Sequence, residues 1–158
     1  MKEGWRTYLR NKDFKKALDE AEDKSGISGM YVYAGFGIGV KIYYNGWAKT
    51  PKKATQNDQW WVAVQAYKAM KLAEKTKIVP KAYGVCVVRV GKAYYPALVM
   101  QHINGYHPDW ISYSHNETIK RKFKLANIKY DDLHNQNIIV DADDNVFVID
   151  FDYVYTSR

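Results

Sequence analysis

Tyr130-Asp131-Asp132-Leu133-His134-Asn135-Gln136-Asn137 leads directly into the apolar run Ile138-Ile139-Val140, and a second apolar run, Val146-Phe147-Val148-Ile149, ends on Asp150. Two short strands flanking the polar stretch Asp141-Ala142-Asp143-Asp144-Asn145 spell a hairpin. Asp132 and Asn137 stand five positions apart across an irregular loop, and Asp150 falls thirteen beyond Asn137. A hairpin of that length returns Asp150 to the side of Asn137, since both lie at its open end. Two oxygen-bearing side chains converging at a strand end suit Mg2+, a hard ion that prefers carboxylate, amide and phosphate oxygens. Asp132, outside that pair, is placed to orient a hydroxyl and accept its proton. Taken singly, each carboxylate reads as an ordinary loop or strand-end group; their order and spacing carry the chemistry.

The turn itself invites a second reading. Asp141-Ala142-Asp143-Asp144-Asn145 opens like a calcium-binding EF-hand loop, but position six is Val146 rather than Gly and position twelve is Asp152 rather than Glu. It reads as a polar hairpin turn.

Upstream of the loop, a short helix is predicted from about Glu117 to Lys124, after a break at Asn104-Gly105 and Pro108. Ala82 to Val90 and Tyr94 to Ile103 read as strands around a Gly91-Lys92 turn. Before them, Thr55 and Asp58 form a capping-box-like start to a helix reaching about Lys75, with Trp60, Val64 and Tyr67 on one stripe. That spacing assigns the tryptophans to packing rather than to stacking on bases. Met30 to Tyr33 and Ile38 to Tyr44 form a further predicted hairpin around Ala34-Gly35-Phe36-Gly37. A first helix begins near Asn11, with Phe14, Ala17, Leu18 and Ala21 on one face.

Composition bounds the rest. A chain of 158 residues, 47% hydrophobic and 15% aromatic, is long enough to bury a core without a disulfide or metal staple. The single cysteine, Cys86, lies in an apolar run and reads as a buried small hydrophobe, which points to a reducing compartment. The start carries no signal-peptide core and no stretch approaches the ~20 apolar residues of a membrane span, so a cytoplasmic protein without a membrane partner is expected. The net charge of +7 is spread over several lysine clusters and attached to no nucleic-acid motif. Solvated faces are favoured over a nucleic-acid interface, although a basic surface attracts nucleotides and acidic partners.

The loop and hairpin also resemble a family. Asp132-Leu133-His134-Asn135-Gln136-Asn137 followed by Ile149-Asp150-Phe151-Asp152 is similar to the catalytic loop and metal-binding motif of the protein-kinase-like superfamily. The Asp-Leu-His and Asp-Phe-Asp forms look most like RIO-type kinases, lipopolysaccharide kinases and aminoglycoside phosphotransferases. The resemblance implies that Asp132 is the catalytic base and that Asn137 and Asp150 hold Mg2+ on the phosphates of ATP. It makes Gly26 and Gly29 a glycine-rich loop, with Gly35-Phe36-Gly37-Ile38-Gly39 as its rival. Lys41, in Gly39-Val40-Lys41-Ile42, becomes the lysine on the α- and β-phosphates. Gln101 and Ile103, around His102, fall where a kinase hinge meets adenine.

Three departures stand out. Gln65 occupies the helix position where these families carry the glutamate that pairs with the lysine, Glu74 being a poorer fit; Tyr130 replaces the histidine of a His-x-Asp loop. The chain also runs only eight residues beyond Asp150. The implied fold is α+β and protein-kinase-like: an N-terminal helical extension (1–24), a small lobe (25–103) with a five-stranded antiparallel sheet and one packed helix, and a truncated catalytic lobe (104–158). ATP would sit between the lobes. The implied activity is transfer of the γ-phosphate to a hydroxyl, that of a protein Ser or Thr, with a partner protein or a homodimer completing the second lobe. A small-molecule phosphotransferase, a nucleotide-binding pseudokinase and a basic nucleic-acid-binding module are the rivals.

Overall fold

A computed structural model describes residues 30–152 and 154–156. The predicted N-terminal helix, Gly26 and Gly29 lie outside the described residues. The chain is mixed α/β, and it divides into two compact units: residues 1–64 with 83–102, and residues 65–82 with 103–158.

The first unit is built on a four-stranded sheet of β1 (Met30–Gly35), β2 (Ile38–Ile42), β3 (Ala82–Val90) and β4 (Ala93–Gln101), in the order β1-β2-β4-β3. Among the described residues the sheet therefore has four strands rather than five. β1 and β2 pair antiparallel around the predicted turn, where Gly35, Phe36 and Gly37 all take positive φ. Alternation sorts the side chains: Val40 and Ile42 of β2 join Ala97 and Val99 of β4 and Cys86, Val88 and Val90 of β3 in a buried cluster. Gly39 and Lys41 lie on the opposite face, paired in register with Tyr33 and Tyr31 of β1 and with Met100 and Leu98 of β4.

β2 stops two residues short of the predicted Tyr44, and the register gives the reason. Ile42 pairs with Ala97, so Tyr43 falls opposite Pro96. The Tyr43 N–H donates to the Pro96 carbonyl at 3.0 Å, but proline has no N–H to return the bond, and the chain turns into a 3₁₀ segment, Tyr44–Gly46. The predicted capping box is also corrected. Thr50 caps a short helix, α1 (Pro51–Ala54), through its side chain, and the Thr55 hydroxyl donates back to the Lys52 carbonyl. Asn57 starts the long helix, α2 (Asp58–Ala73), its Oδ1 accepting from the Trp60 N–H at 3.1 Å.

The second unit holds the C-terminal part of α2, then α3 (Tyr113–Leu125), β5 (Ile128–Lys129), β6 (Ile138–Val140), β7 (Val146–Val148) and β8 (Tyr155–Thr156). α3 begins four residues before the prediction because Ser112 caps it, Oγ accepting from the His115 N–H. Its buried stripe is Ile119 and Phe123, one turn apart. β6 and β7 form the predicted hairpin, and the segment after α2 is tied to it by the Val148 N–H, which donates to the Ile78 carbonyl at 2.7 Å. Lys122 of α3 donates to the Thr76 carbonyl of the same segment. On the other edge of β6, Tyr106 and Val140 exchange both backbone hydrogen bonds. Gly105 allows that approach, since a Cβ there would collide with the Val140 carbonyl oxygen. No helix among the described residues is long and apolar enough to cross a membrane.

Candidate functional site

Asp132, Asn137 and Asp150 all belong to the second unit. Asn137 is buried at the end of a 3₁₀ turn, Asn135–Asn137, immediately before β6. Its Nδ2 donates to the Asp132 carbonyl oxygen at 2.8 Å and to Asp132 Oδ2 at 3.1 Å. Both partners are acceptors, so the amide nitrogen must face them and Oδ1 points the other way. Asp132 itself is exposed, its side chain retaining 75% of its accessible surface. A fixed but solvent-facing carboxylate is what hydrogen bonding to a buried amide produces.

His134 supports the same loop. Its Nδ1 accepts from the Gln136 N–H at 3.2 Å, which leaves the ring proton on Nε2, 3.5 Å from Asp132 Oδ1. Two further struts hold the loop: Asn135 Nδ2 donates to the Pro108 carbonyl, and the His107 ring donates from Nδ1 to the Ile138 carbonyl at 2.8 Å.

The hairpin brings Asp150 back to this loop, one residue out of the predicted register. The Ile149 N–H donates to the Asn137 carbonyl at 2.8 Å, so Asn137 pairs with Ile149 and Asp150 is the next residue. At Asp150 the backbone leaves the strand with φ +66°, a left-handed conformation that costs a residue with a Cβ about 1–2 kcal/mol. Non-glycine residues held in this region cluster at functional sites. Asp150 Oδ1 accepts the Asp152 N–H at 3.3 Å, which helps stabilise the turn.

Tyr130 clamps the turn from the other side. Its hydroxyl lies 2.7 Å from the Ile149 carbonyl and 2.8 Å from the Asp150 carbonyl, sharing one proton between them. The ring packs edge-on against Phe151 and tilted against Phe123. Burial, then the charges of Asp150 and Asp132, push the phenol far above its ordinary pKa. Sequence marked the position as a replaced histidine; the clamp depends on the tertiary return of residues 149–150 and has no local signature.

The other predicted residues lie on other elements. In the first unit, Lys41 is half-buried on β2, its Nζ 5.2 Å from the centre of the Tyr43 ring. Gln101 is half-buried at the end of β4, paired with Ile38. In the second unit, Ile103 is buried and Gln65 is exposed on α2. Glu74, the weaker alternative, is occupied locally: its Oε1 accepts from Lys71 Nζ and from the Ala82 N–H.

A cluster that sequence did not reveal lies on the Lys41 face of the sheet. The Tyr31 hydroxyl meets His102 Nδ1 at 2.7 Å, and the Tyr33 and His102 rings stand 4.4 Å apart. Tyr31 lies so close over Gly39 that any Cβ there would collide with its phenol. Burial, then Tyr33, raises the Tyr31 pKa. Tyr31 and His102 are 71 positions apart, which hides the pairing from any local reading.

No protein-family model and no curated protein matches the sequence. Two solved structures of one protein resemble the chain. One is a co-crystal of WbdD with the kinase inhibitor LY294002, at 15% identity and a TM-score of 0.43, covering 84% of this chain and 32% of that one. The other is a medium-resolution structure of the bifunctional kinase-methyltransferase WbdD, at 16% identity and a TM-score of 0.41, covering 83% of this chain and 31% of that one. The chain thus spans about a third of WbdD, and likeness at this level assigns neither fold nor activity.

Proposed function

We propose that the chain is an ATP- and Mg2+-dependent phosphotransferase of the protein-kinase-like type, with a protein Ser or Thr hydroxyl as acceptor. The observation that carries this reading is the constellation in the second unit: Asp132 held by the Asn137 amide, with Asp150 in a left-handed turn one residue beyond Asn137's strand partner. Among the described residues no three His, Cys, Asp or Glu side chains gather to hold a metal by themselves. A divalent ion here would rest on Asn137 Oδ1, the Asp150 carboxylate and the oxygens of a phosphate, a donor set that suits Mg2+, which is usually bound by few protein ligands together with substrate phosphates. Bound there, Mg2+ would neutralise charge on the β- and γ-phosphates.

Asp132 would accept the proton of the acceptor hydroxyl as its oxygen bonds to the γ-phosphorus and the bond to the ADP oxygen breaks. Its exposure suits that role, because an acceptor must reach it. Lys41 would position the α- and β-phosphates, Gly26 and Gly29 would approach them through backbone N–H groups, and Gln101 and Ile103 would meet the base. A partner protein or a second copy would complete the acceptor surface.

One observation favours a second reading, a nucleotide-binding pseudokinase that regulates a partner. Gln65 is exposed and uncharged at the position where the resemblance implies a glutamate. Labelled ATP with Mg2+, offered with and without a panel of Ser/Thr peptides, separates the two. Transfer that disappears in Asp132→Asn supports the enzyme; Mg2+-dependent nucleotide binding without transfer supports the pseudokinase; absence of nucleotide binding overturns both.

A further inference from the structure

The Tyr31–His102 contact lies on the face of the first unit's sheet that carries Lys41. The register lays two rows across this face: Tyr33, Gly39 and Met100 in one, and Tyr31, Lys41 and Leu98 in the other. Met100, Leu98 and Gly39 are buried. The Tyr31 phenol leaves its own row and crosses to the next, where it lies against Gly39 and meets His102 Nδ1 at 2.7 Å. The two rings are stacked, 5.8 Å between centres and 23° from parallel. Gly39 is not demanded by its own backbone, because its φ lies outside the left-handed region. What it supplies is room, since a Cβ there would collide with the phenol. The seat over Gly39 therefore admits a flat ring against the strand backbone, and the chain fills it with one of its own. That ring is not locked by packing: Tyr31 remains 46% exposed.

We propose that Tyr31 gates the nucleotide site: its phenol occupies the seat over Gly39 that the base of a nucleotide takes, and binding requires it to leave Gly39 and His102. This rests on the nucleotide-binding reading above. A purine is flat like the phenol and larger, so the two cannot share the seat. Lys41 follows Gly39 on the same face of β2, roughly 7 Å along the strand, so a base over Gly39 has the lysine beside it for its phosphates. Gln101, assigned to the base, adjoins His102 and pairs with Ile38, the residue before Gly39. The His102 N–H donates to the Gly37 carbonyl at 2.9 Å, which ties the histidine to the β1–β2 turn and leaves the phenol as the part that moves. Molecules with the phenol seated do not take the base, so the apparent affinity falls with the fraction in which Tyr31 has swung out.

The test is calorimetric titration of the full chain with ATP and Mg2+, beside inorganic triphosphate and Mg2+, which offers phosphates without a base. Tyr31→Phe keeps the ring and removes its hydrogen bond; Tyr31→Ala empties the seat. ATP is expected to bind about threefold to tenfold tighter to Tyr31→Phe, the worth of one net hydrogen bond, and at least as tightly to Tyr31→Ala. Triphosphate affinity is expected to stay the same in all three proteins. ATP binding that appears in a variant when the parent shows none supports the gate as well. Equal ATP affinity in parent and variants, or weaker binding in the variants, overturns the gate and leaves the nucleotide reading standing. Equal tightening toward triphosphate also overturns it, since the phenol would then act on the phosphates rather than the base. Absence of ATP binding by the parent and both variants overturns the nucleotide reading and the gate with it.

Discussion

The Asn137 side-chain amide donates to both the backbone carbonyl and the carboxylate of Asp132, at 2.8 and 3.1 Å. A buried residue thereby fixes the direction of an exposed one. If Asp132 accepts a proton from the acceptor, Asp132→Asn should lower phosphoryl transfer by about 10²–10⁴-fold while leaving nucleotide affinity nearly unchanged. Single-turnover transfer and equilibrium nucleotide titration, run on the same preparation, check the two halves. A parallel loss of binding and transfer would move Asp132 from base to ligand.

Asp150 separates the needs of the backbone from those of the side chain. Glycine adopts φ +66° freely, whereas alanine meets its Cβ there. Asp150→Gly is therefore expected to be more stable than Asp150→Ala by about 1 kcal/mol, read from urea unfolding midpoints. Both variants should lose Mg2+-dependent nucleotide binding equally, because neither carries the carboxylate. Asp150→Asn, which tolerates the left-handed backbone, should lose binding with little loss of stability.

Tyr130→Phe removes one hydroxyl and leaves two carbonyl oxygens without their shared donor. The expected cost is about 1–2 kcal/mol in urea unfolding, since the Phe123–Phe151 packing survives and only the hydrogen bonds go. A change that alters transfer without altering stability would mean that the hydroxyl acts on substrate rather than on the turn.

The Asp141 turn gives a pH dependence. The Asn145 backbone N–H donates to Asp141 Oδ1 at 2.8 Å, the Asn145 side chain and the Asp143 N–H add to it, and together they hold the carboxyl below its usual pKa. A depressed carboxyl contributes stability above its unfolded value near 3.8, and that contribution is lost as pH falls through the folded value. Unfolding midpoints between neutral pH and about pH 3 should therefore fall less steeply in Asp141→Asn than in the parent. Identical slopes would remove Asp141 from the acid response.

Local pattern made much of this fold legible. The β6–β7 hairpin follows from two apolar runs around a polar turn, and β3 from an apolar run that ends at the Gly91-Lys92 turn. The differences have identifiable physical sources. Periodicity alone shortens α3, because its first turn, Tyr113-Ser114-His115-Asn116, lacks an apolar repeat and only the Ser112 cap marks the start. The Thr55 pattern points to an early start for α2, but Asn57 takes the cap. In the site, spacing puts Asp132 and Asn137 on one loop, but the hydrogen bonds from the Asn137 amide to Asp132 are visible only in the structure. The Tyr130 clamp and the Tyr31–His102 contact leave no trace in the spacing, because each joins segments that only tertiary folding brings together.

One consequence of the Tyr130 clamp concerns what an activity profile would report. A phenol held neutral by its surroundings is silent across the whole range in which enzymes are assayed, so the turn at Asp150 keeps its hydrogen-bonded shape as protons come and go around it. Any inflection measured near neutrality would then have its source in groups other than this phenol. The clamp works as a fixed reference point, and the ionisations around it can be assigned one residue at a time.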